Sequence, residues 1–517
     1  MLIFRRKRGY LGSIRIDKVE RKIGLEDWLV LFISICLASN LYILLTYTGM
    51  ETANIDAMSY QEMADKLVGY WQGKVEAIVF TSPISRFGFF PSIIPAVIDY
   101  LFKTGSEQAY LILNASCLFI NLLVFWSLIK HLGVKVRFFI FVLFAFSNSN
   151  FFLYLEIASE PIFMVIELWF LLLVGDSKKN IGWKTWVILV ILAILGLWTR
   201  YIGVVFFIYL SLLVWRSNAS IRKKYLWLVI VGFVLGVAVL YLRSKAFNLS
   251  YTERSVGFHL GDLDGYLNLA GTLISYLFPY WHFHEWRVFI EVLIMGVLYF
   301  VFQHRHLVKL DMLTTRDKYI EFGMICFAIL LASKWFVDND IIFVTRIMYP
   351  IFPILLIKLG DYLQELGERQ GYTIIGLSMG FVILVGILWN FIVINMDFKV
   401  NHQNTSNYIK SEMSYLLDEL PLETKIISNA AYYFYVFGYR NLEYLPAQNL
   451  TTQNKINRKR AAQIEYQRRK VLESRAHVVI FFPKNNIRTQ QINPGEYPEF
   501  FVQMTQDSIS KYFVFRR

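Results

Sequence analysis

Four ionisable residues stand where apolar sequence makes charge costly: Asp56, Glu160, Arg200 and Arg346. Asp56 lies in Asn54-Ile-Asp-Ala-Met-Ser-Tyr60, a few residues after a long apolar run. At a membrane surface a carboxylate is partly desolvated, which raises its proton affinity and suits it to general-base work. Its plainer role is an acid favouring a helix N-terminus. Glu160 precedes Pro161 at the hinge Glu156-Ile-Ala-Ser-Glu160-Pro161. A first-turn acid beside a tolerated proline explains it, and so does function, the default reading for an ionisable group inside a membrane protein. Arg346 precedes Ile-Met-Tyr-Pro350-Ile-Phe-Pro353, a proline-bent helix start. Arg200 sits in a short Thr-Arg-Tyr turn between two apolar halves. A guanidinium at either place suits bidentate contact with a lipid phosphate, although a lone Arg more commonly anchors at the interface.

Weaker candidates surround these four. Asp262/Asp264 and Asp338/Asp340 offer oxygen ligands for a divalent metal, but such spacing is common and reads first as solvated loop. No cofactor is otherwise called for. His282, His284 and Glu285 lie in Pro-Tyr-Trp-His-Phe-His-Glu-Trp, which reads as an aromatic interface belt with polar tips. No Walker motif, Gly-rich dinucleotide loop or Gly-x-Ser-x-Gly elbow occurs.

The elements that must position these groups are membrane helices. Of 517 residues, 56% are hydrophobic and 18% charged, against about a quarter charged in soluble domains. Runs such as 28–47 and 373–394 are long enough, at about 1.5 Å per residue, to cross a core of about 30 Å. The net charge of +13 does not indicate nucleic acid, because Lys and Arg fall mainly in short loops and in the C-terminal tail. In the loops they act as topology signals. Cys36, Cys117 and Cys326 all sit in apolar segments and form neither a disulfide framework nor a zinc spacing.

Loop charges and the parity of the runs predict an α-helical polytopic protein with about eleven passes. The basic segment 1–26 stays cytoplasmic, and the first run reads as a retained anchor. A membrane region covers 27–395, with 48–106 as an external loop carrying interfacial helices. Within that loop Tyr60, Ala64, Leu67, Val68 and Trp71 share one helical face, and Ser59 with Glu62 has capping-box spacing. A stretch over 87–102 is too short to span comfortably. Passes follow at 111–130, 138–155 and 162–174. The pair 186–198 and 202–215 comes next, each half only about 20 Å long, so Arg200 is expected below the surface, facing a watery cavity. Further passes lie at 225–242, 288–302, 319–335, 347–359 and 373–394. Residues 396–517 read as an external α/β domain, with strand-like runs at Lys425-Ile-Ile-Ser, His477-Val-Val-Ile-Phe-Phe and Tyr512-Phe-Val-Phe.

The order of these features resembles the GT-C glycosyltransferases, which take sugars from polyprenyl-phosphate carriers; protein O-mannosyltransferases and aminoarabinose transferases are among them. The resemblance covers most of the chain. It rests on Asp56 early in the first external loop, Ser159-Glu160-Pro161, Leu197-Trp-Thr-Arg200-Tyr-Ile-Gly203 and Arg346-x-x-x-Pro350-x-x-Pro353. Ile427-Ser-Asn429 and Tyr435-x-x-Gly438 open the tail. Two features depart from relatives: Ala57 replaces a second acid after Asp56, and no Trp-Trp-Asp-Tyr-Gly segment occurs.

The resemblance implies inverting transfer of a sugar from a polyprenyl-phosphate donor to an unknown lipid, glycan or protein acceptor. The external face of a plasma membrane, most simply a bacterial inner membrane, is the implied location. Asp56 becomes the base, Glu160 an orienting or assisting acid, and Arg200 and Arg346 the phosphate-binding cations. A transporter or flippase is the alternative, although such proteins usually show inverted repeats, and here there is no convincing repeat and one candidate broken pair, not two. An O-antigen-type polymerase or ligase shares the donor but fits the pattern less well.

Overall fold

A computed structural model describes residues 24–48, 55–74, 89–147, 150–151, 153–176, 181–217, 219–246, 318–336 and 348–370. Beyond these it describes short stretches, chiefly the strands of the C-terminal region. Arg346, the passes expected at 288–302 and 373–394, both Asp-x-Asp pairs and the His282–Glu285 belt lie outside the described residues, as does the side chain of Asp56.

The described chain is mostly helical. It runs α1 (Leu25–Thr48), α2 (Ile55–Trp71), α3 (Phe90–Phe102), α4 (Ser106–Leu128), α5 (Val134–Ala145) and α6 (Glu160–Asp176). Then come α7 (Trp183–Thr199), a 3₁₀ turn at Tyr201–Gly203, α8 (Val204–Trp215), α9 (Ala219–Ala246) and α10 (Lys318–Phe336). A second 3₁₀ turn at Tyr349–Ile351 leads into α11 (Phe352–Gln370). Among the described residues, Leu25–Tyr47, Ser106–Leu128 and Arg222–Leu242 are long and apolar enough to cross a bilayer. α9 leaves Trp227, Val231, Val234, Leu235 and Leu242 exposed. A continuous apolar face of that kind is stable against lipid rather than water.

α4 is the central post. α1, α3, α5 and α6 all pack on it, and its Tyr110, Asn114, Leu118, Asn121, Leu122 and Phe125 are fully buried. Trp126 Nε1 donates to Asp27 Oδ1 at 2.7 Å, tying α4 to the start of α1. α7, α8 and α9 form a second group, α10 joins it to α6, and α11 packs on α5.

Three local expectations are corrected. The loop helix α2 begins at Ile55 rather than near Ser59. Glu62 pairs with Lys66 at 2.6 Å, one turn along the helix, and Ser59 lies inside α2 rather than at its N-cap. Starting earlier puts Asp56 in the first turn, where the helix dipole favours an acid. The face of Tyr60, Ala64 and Val68 is covered by protein rather than lipid; Ser92 Oγ and Tyr110 Oη both donate to the Tyr60 carbonyl, at 2.9 and 3.0 Å. Finally, the run 138–155 is not one pass. α5 stops at Ala145, and Asn150 Nδ2 donates to the Phe144 carbonyl at 3.0 Å, satisfying an orphan acceptor at the helix end. After a short helical turn at Asn150 and Phe151, the chain crosses the interior as buried irregular backbone through Tyr154, Leu155 and Ile157.

The C-terminal strands are β1 (Lys425–Ser428), β2 (Leu442–Tyr444), β3 (His477–Phe481), β4 (Met504–Gln506) and β5 (Lys511–Val514). They form a five-stranded mixed sheet in the order β2-β1-β3-β5-β4. β1 pairs parallel with β2 and β3, so crossover connections must join these strands. β5 is antiparallel to both β3 and β4.

Candidate functional site

The break between α7 and α8 is built by two glycines. A Cβ on Gly203 would collide with the Gly196 carbonyl, so the chain can fold back on itself only if residue 203 has no side chain. Arg200 N–H closes α7 on the Gly196 carbonyl at 2.9 Å, and Gly203 N–H returns to the Arg200 carbonyl at 2.9 Å. Arg200 is thereby lifted out of the helix in an extended conformation. The sequence places this turn correctly.

Arg200 points at the N-terminus of α6. Its Nη1 forms an ion pair with Glu160 Oε1 and approaches Ser159 Oγ at 3.4 Å. Ser159 Oγ in turn donates to Glu160 Oε2 at 3.2 Å. Glu160 is 2% exposed. Pro161 at the start of α6 fixes the backbone, and Phe163 N–H caps onto the Ser159 carbonyl at 3.0 Å.

This pair lines a small cleft together with Phe163, Tyr201, Ile202, Leu330, Tyr349 and Pro350. Four elements meet there: the start of α6, the α7–α8 turn, α10 and the 3₁₀ turn before α11. Tyr349 and Pro350 follow Arg346 closely in sequence. Phe163 of the cleft packs on Phe206 at 5.6 Å, and Phe206 continues into a cluster of rings with Phe170, Phe322 and Tyr209, with centroids 4.7 Å apart for Phe170–Phe206 and 5.5 Å for Tyr209–Phe322.

The helix that carries Asp56, α2, is tied to this region through α3. It holds Ser92 through the Tyr60 carbonyl, one turn past Asp56. At the head of α3, Phe89 packs on Trp198 at 5.4 Å, two residues before Arg200. Glu160 and Arg200 are thus brought into contact, and the helix bearing Asp56 is braced against the same turn.

Sequence reasoning missed several polar residues. Asn114 Nδ2 donates to the Tyr154 and Glu156 carbonyls at 2.9 and 2.8 Å, holding the hinge before Glu160. Asn114 and Asn121 recur at i and i+7 on α4, a signal for one polar strip facing the core. Glu167 is fully buried in α6, and neither carboxyl oxygen has a hydrogen-bond partner among the described residues. An acid in the middle of an apolar run is a signal in itself.

No family model matches the sequence, and no curated protein matches it. Solved structures do resemble it. The chain is similar to ArnT from Cupriavidus metallidurans bound to undecaprenyl phosphate, with TM-score 0.58 and 11% identity. That match covers 95% of this chain and 98% of the other. The apo state of the same protein aligns with TM-score 0.54 and 12% identity, over 94% of this chain and 97% of that one. The sequence resemblance and the three-dimensional likeness agree: this chain has the fold of the GT-C glycosyltransferases.

Proposed function

We propose that the protein is a GT-C-type membrane glycosyltransferase that takes a sugar from a polyprenyl-phosphate carrier and passes it to an acceptor hydroxyl with inversion. The observation that carries this reading is the buried Glu160–Arg200 pair in a cleft at one end of the bundle. A guanidinium has five N–H donors, so Arg200 can serve Glu160 and a phosphate oxygen at once. The fold supports the donor class, since one solved neighbour holds undecaprenyl phosphate.

In this reading Asp56 takes the proton from the acceptor hydroxyl. The acceptor oxygen attacks the anomeric carbon, and the bond to the phosphate oxygen breaks with both electrons leaving on the phosphate. Such a leaving group needs no general acid, unlike the paired carboxyls of most glycosidases. Arg200 and Arg346 balance the charge that develops on it. Glu160 orients Arg200 and the sugar. The Arg200 end faces outward, and residues 396–517 form an external α/β domain on that side.

The test is Asp56→Asn in purified protein, reconstituted in lipid with a polyprenyl-phosphate sugar and followed by release of polyprenyl phosphate. A positioned general base contributes roughly 10²- to 10⁴-fold, so transfer collapses by that factor while the lipid still binds. If Asp56 serves only its helix, Asn replaces it at little cost, because Asn and Asp favour a helix start about equally. Release at the wild-type rate removes Asp56 as the base.

A further inference from the structure

A chain of buried hydrogen bonds runs behind the cleft wall, and its direction can be worked out. Tyr349 Oη donates to Asn150 Oδ1 at 2.7 Å. The Asn150 amide is fixed in that orientation because its Nδ2 donates to the Phe144 carbonyl. Tyr349 has therefore spent its one proton, and the 3.3 Å contact between the Tyr154 and Tyr349 hydroxyls must be donated by Tyr154. Tyr154 Oη accepts in turn from Asn121 Nδ2 at 2.7 Å. Each hydroxyl donates once and accepts once. Tyr349, Tyr154, Asn150 and Asn121 are all buried.

The chain joins the two halves of the cleft. Tyr349 belongs to the 3₁₀ turn whose Tyr349 and Pro350 form one wall. Tyr154 and Asn150 belong to the buried segment between α5 and α6 that leads into Ser159 and Glu160, and Asn114 pins that segment from the side through its backbone carbonyls. In an apolar bundle, apolar side chains at all four positions would fill the space without desolvating a polar group. A chain in which both hydroxyls are paired at each end instead specifies one arrangement.

We propose that Tyr349, acting through Tyr154 and Asn150, is a positioning residue that sets the cleft wall against the Glu160–Arg200 pair. This rests on the reading of the cleft as a lipid-phosphate site. Tyr349→Phe keeps the ring and breaks the chain, leaving Asn150 Oδ1 without its donor and Tyr154 without its acceptor. Misplacing a site wall by an ångström or less is enough to weaken binding about tenfold.

The experiment measures undecaprenyl phosphate binding by tryptophan fluorescence in four proteins: wild type, Tyr349→Phe, Arg200→Ala and the double variant. Expected is about tenfold weaker binding in Tyr349→Phe and no further loss when Arg200→Ala is already present, because the two then act on one contact. Wild-type binding by Tyr349→Phe, or the same factor lost in both backgrounds, overturns the positioning role and leaves the site reading standing. Failure of wild type to bind overturns the site reading, and the positioning role with it. Should Tyr349→Phe not fold, Tyr154→Phe breaks the chain while keeping the Tyr349–Asn150 bond, and the same outcomes decide.

Discussion

The two ends of the bundle treat charge differently. At one end Glu160 and Arg200 pair with side chains 2% and 19% exposed. At the other, Arg216 meets Glu321 at 2.5 Å with exposures of 32% and 14%, and His131 meets Asp361 at 2.7 Å with 44% and 18%. The second set is wet and ties helices together: α8 to α10, and the α4–α5 turn to α11, where Gly133 N–H also reaches Gln364 Oε1 at 3.1 Å. Pairs of this kind cost little and contribute little. A buried pair in an apolar bundle loses more hydration than a comparable apolar contact would, so stability alone is a poor reason to keep one. The contrast is the one expected if the Arg200 end holds its charges for the proposed phosphate site rather than for folding.

The sharpest way to break this comparison is to delete one cation from each end. Arg200→Ala should cut turnover by roughly 10²- to 10³-fold, the usual cost of losing one charge-stabilising donor. Arg216→Ala should change stability by about 1 kcal/mol or less and leave turnover near wild type. Parallel release assays with melting curves on the same samples check both. Equal losses in turnover would dissolve the distinction between the ends.

A smaller effect belongs to the Arg216 end alone. Burial raises the Asp361 carboxyl, but hydrogen bonds from His131 and Lys358 outweigh it and hold its pKa below the usual carboxylate value. A carboxylate lowered on folding contributes its stability above the ordinary value and loses it as pH falls through the lowered one. Wild type should therefore lose thermal stability on acidification below about pH 4. Asp361→Asn should flatten that limb while lowering Tm at neutral pH by a few degrees. An unchanged acid limb would show that the His131–Asp361–Lys358 cluster does not persist in solution.

Much of this was legible in the chain. The α7–α8 break was readable because each half is too short to span; that Gly203 stands where backbones touch came from the structure. Proline after Glu160 marked the start of α6. The break after α5 was hidden, since Phe151, Leu153, Tyr154 and Leu155 continue an apolar run. Apolarity reports burial and does not separate helix from irregular backbone enclosed by protein. The polar cluster Ser147-Asn-Ser-Asn150 was the overlooked signal. The partnership of Glu160 with Arg200 was not legible, because the two are forty positions apart and no local pattern links them. The Tyr154–Tyr349 contact spans a still longer separation. Such pairings are set by how helices pack, which propensity and periodicity do not encode.

The central claim is that lipid phosphate is bound at the Arg200 end. The most direct measurement places a photoreactive residue at Tyr201, beside Arg200, or at Trp215, at the opposite end of α8; both positions are exposed, 50% and 74%. Each protein is irradiated with radiolabelled undecaprenyl phosphate in lipid, with and without excess unlabelled compound. The account predicts a cross-link at Tyr201 that the excess removes, and only weak, uncompeted labelling at Trp215. Competed labelling at Trp215 with none at Tyr201 would contradict it.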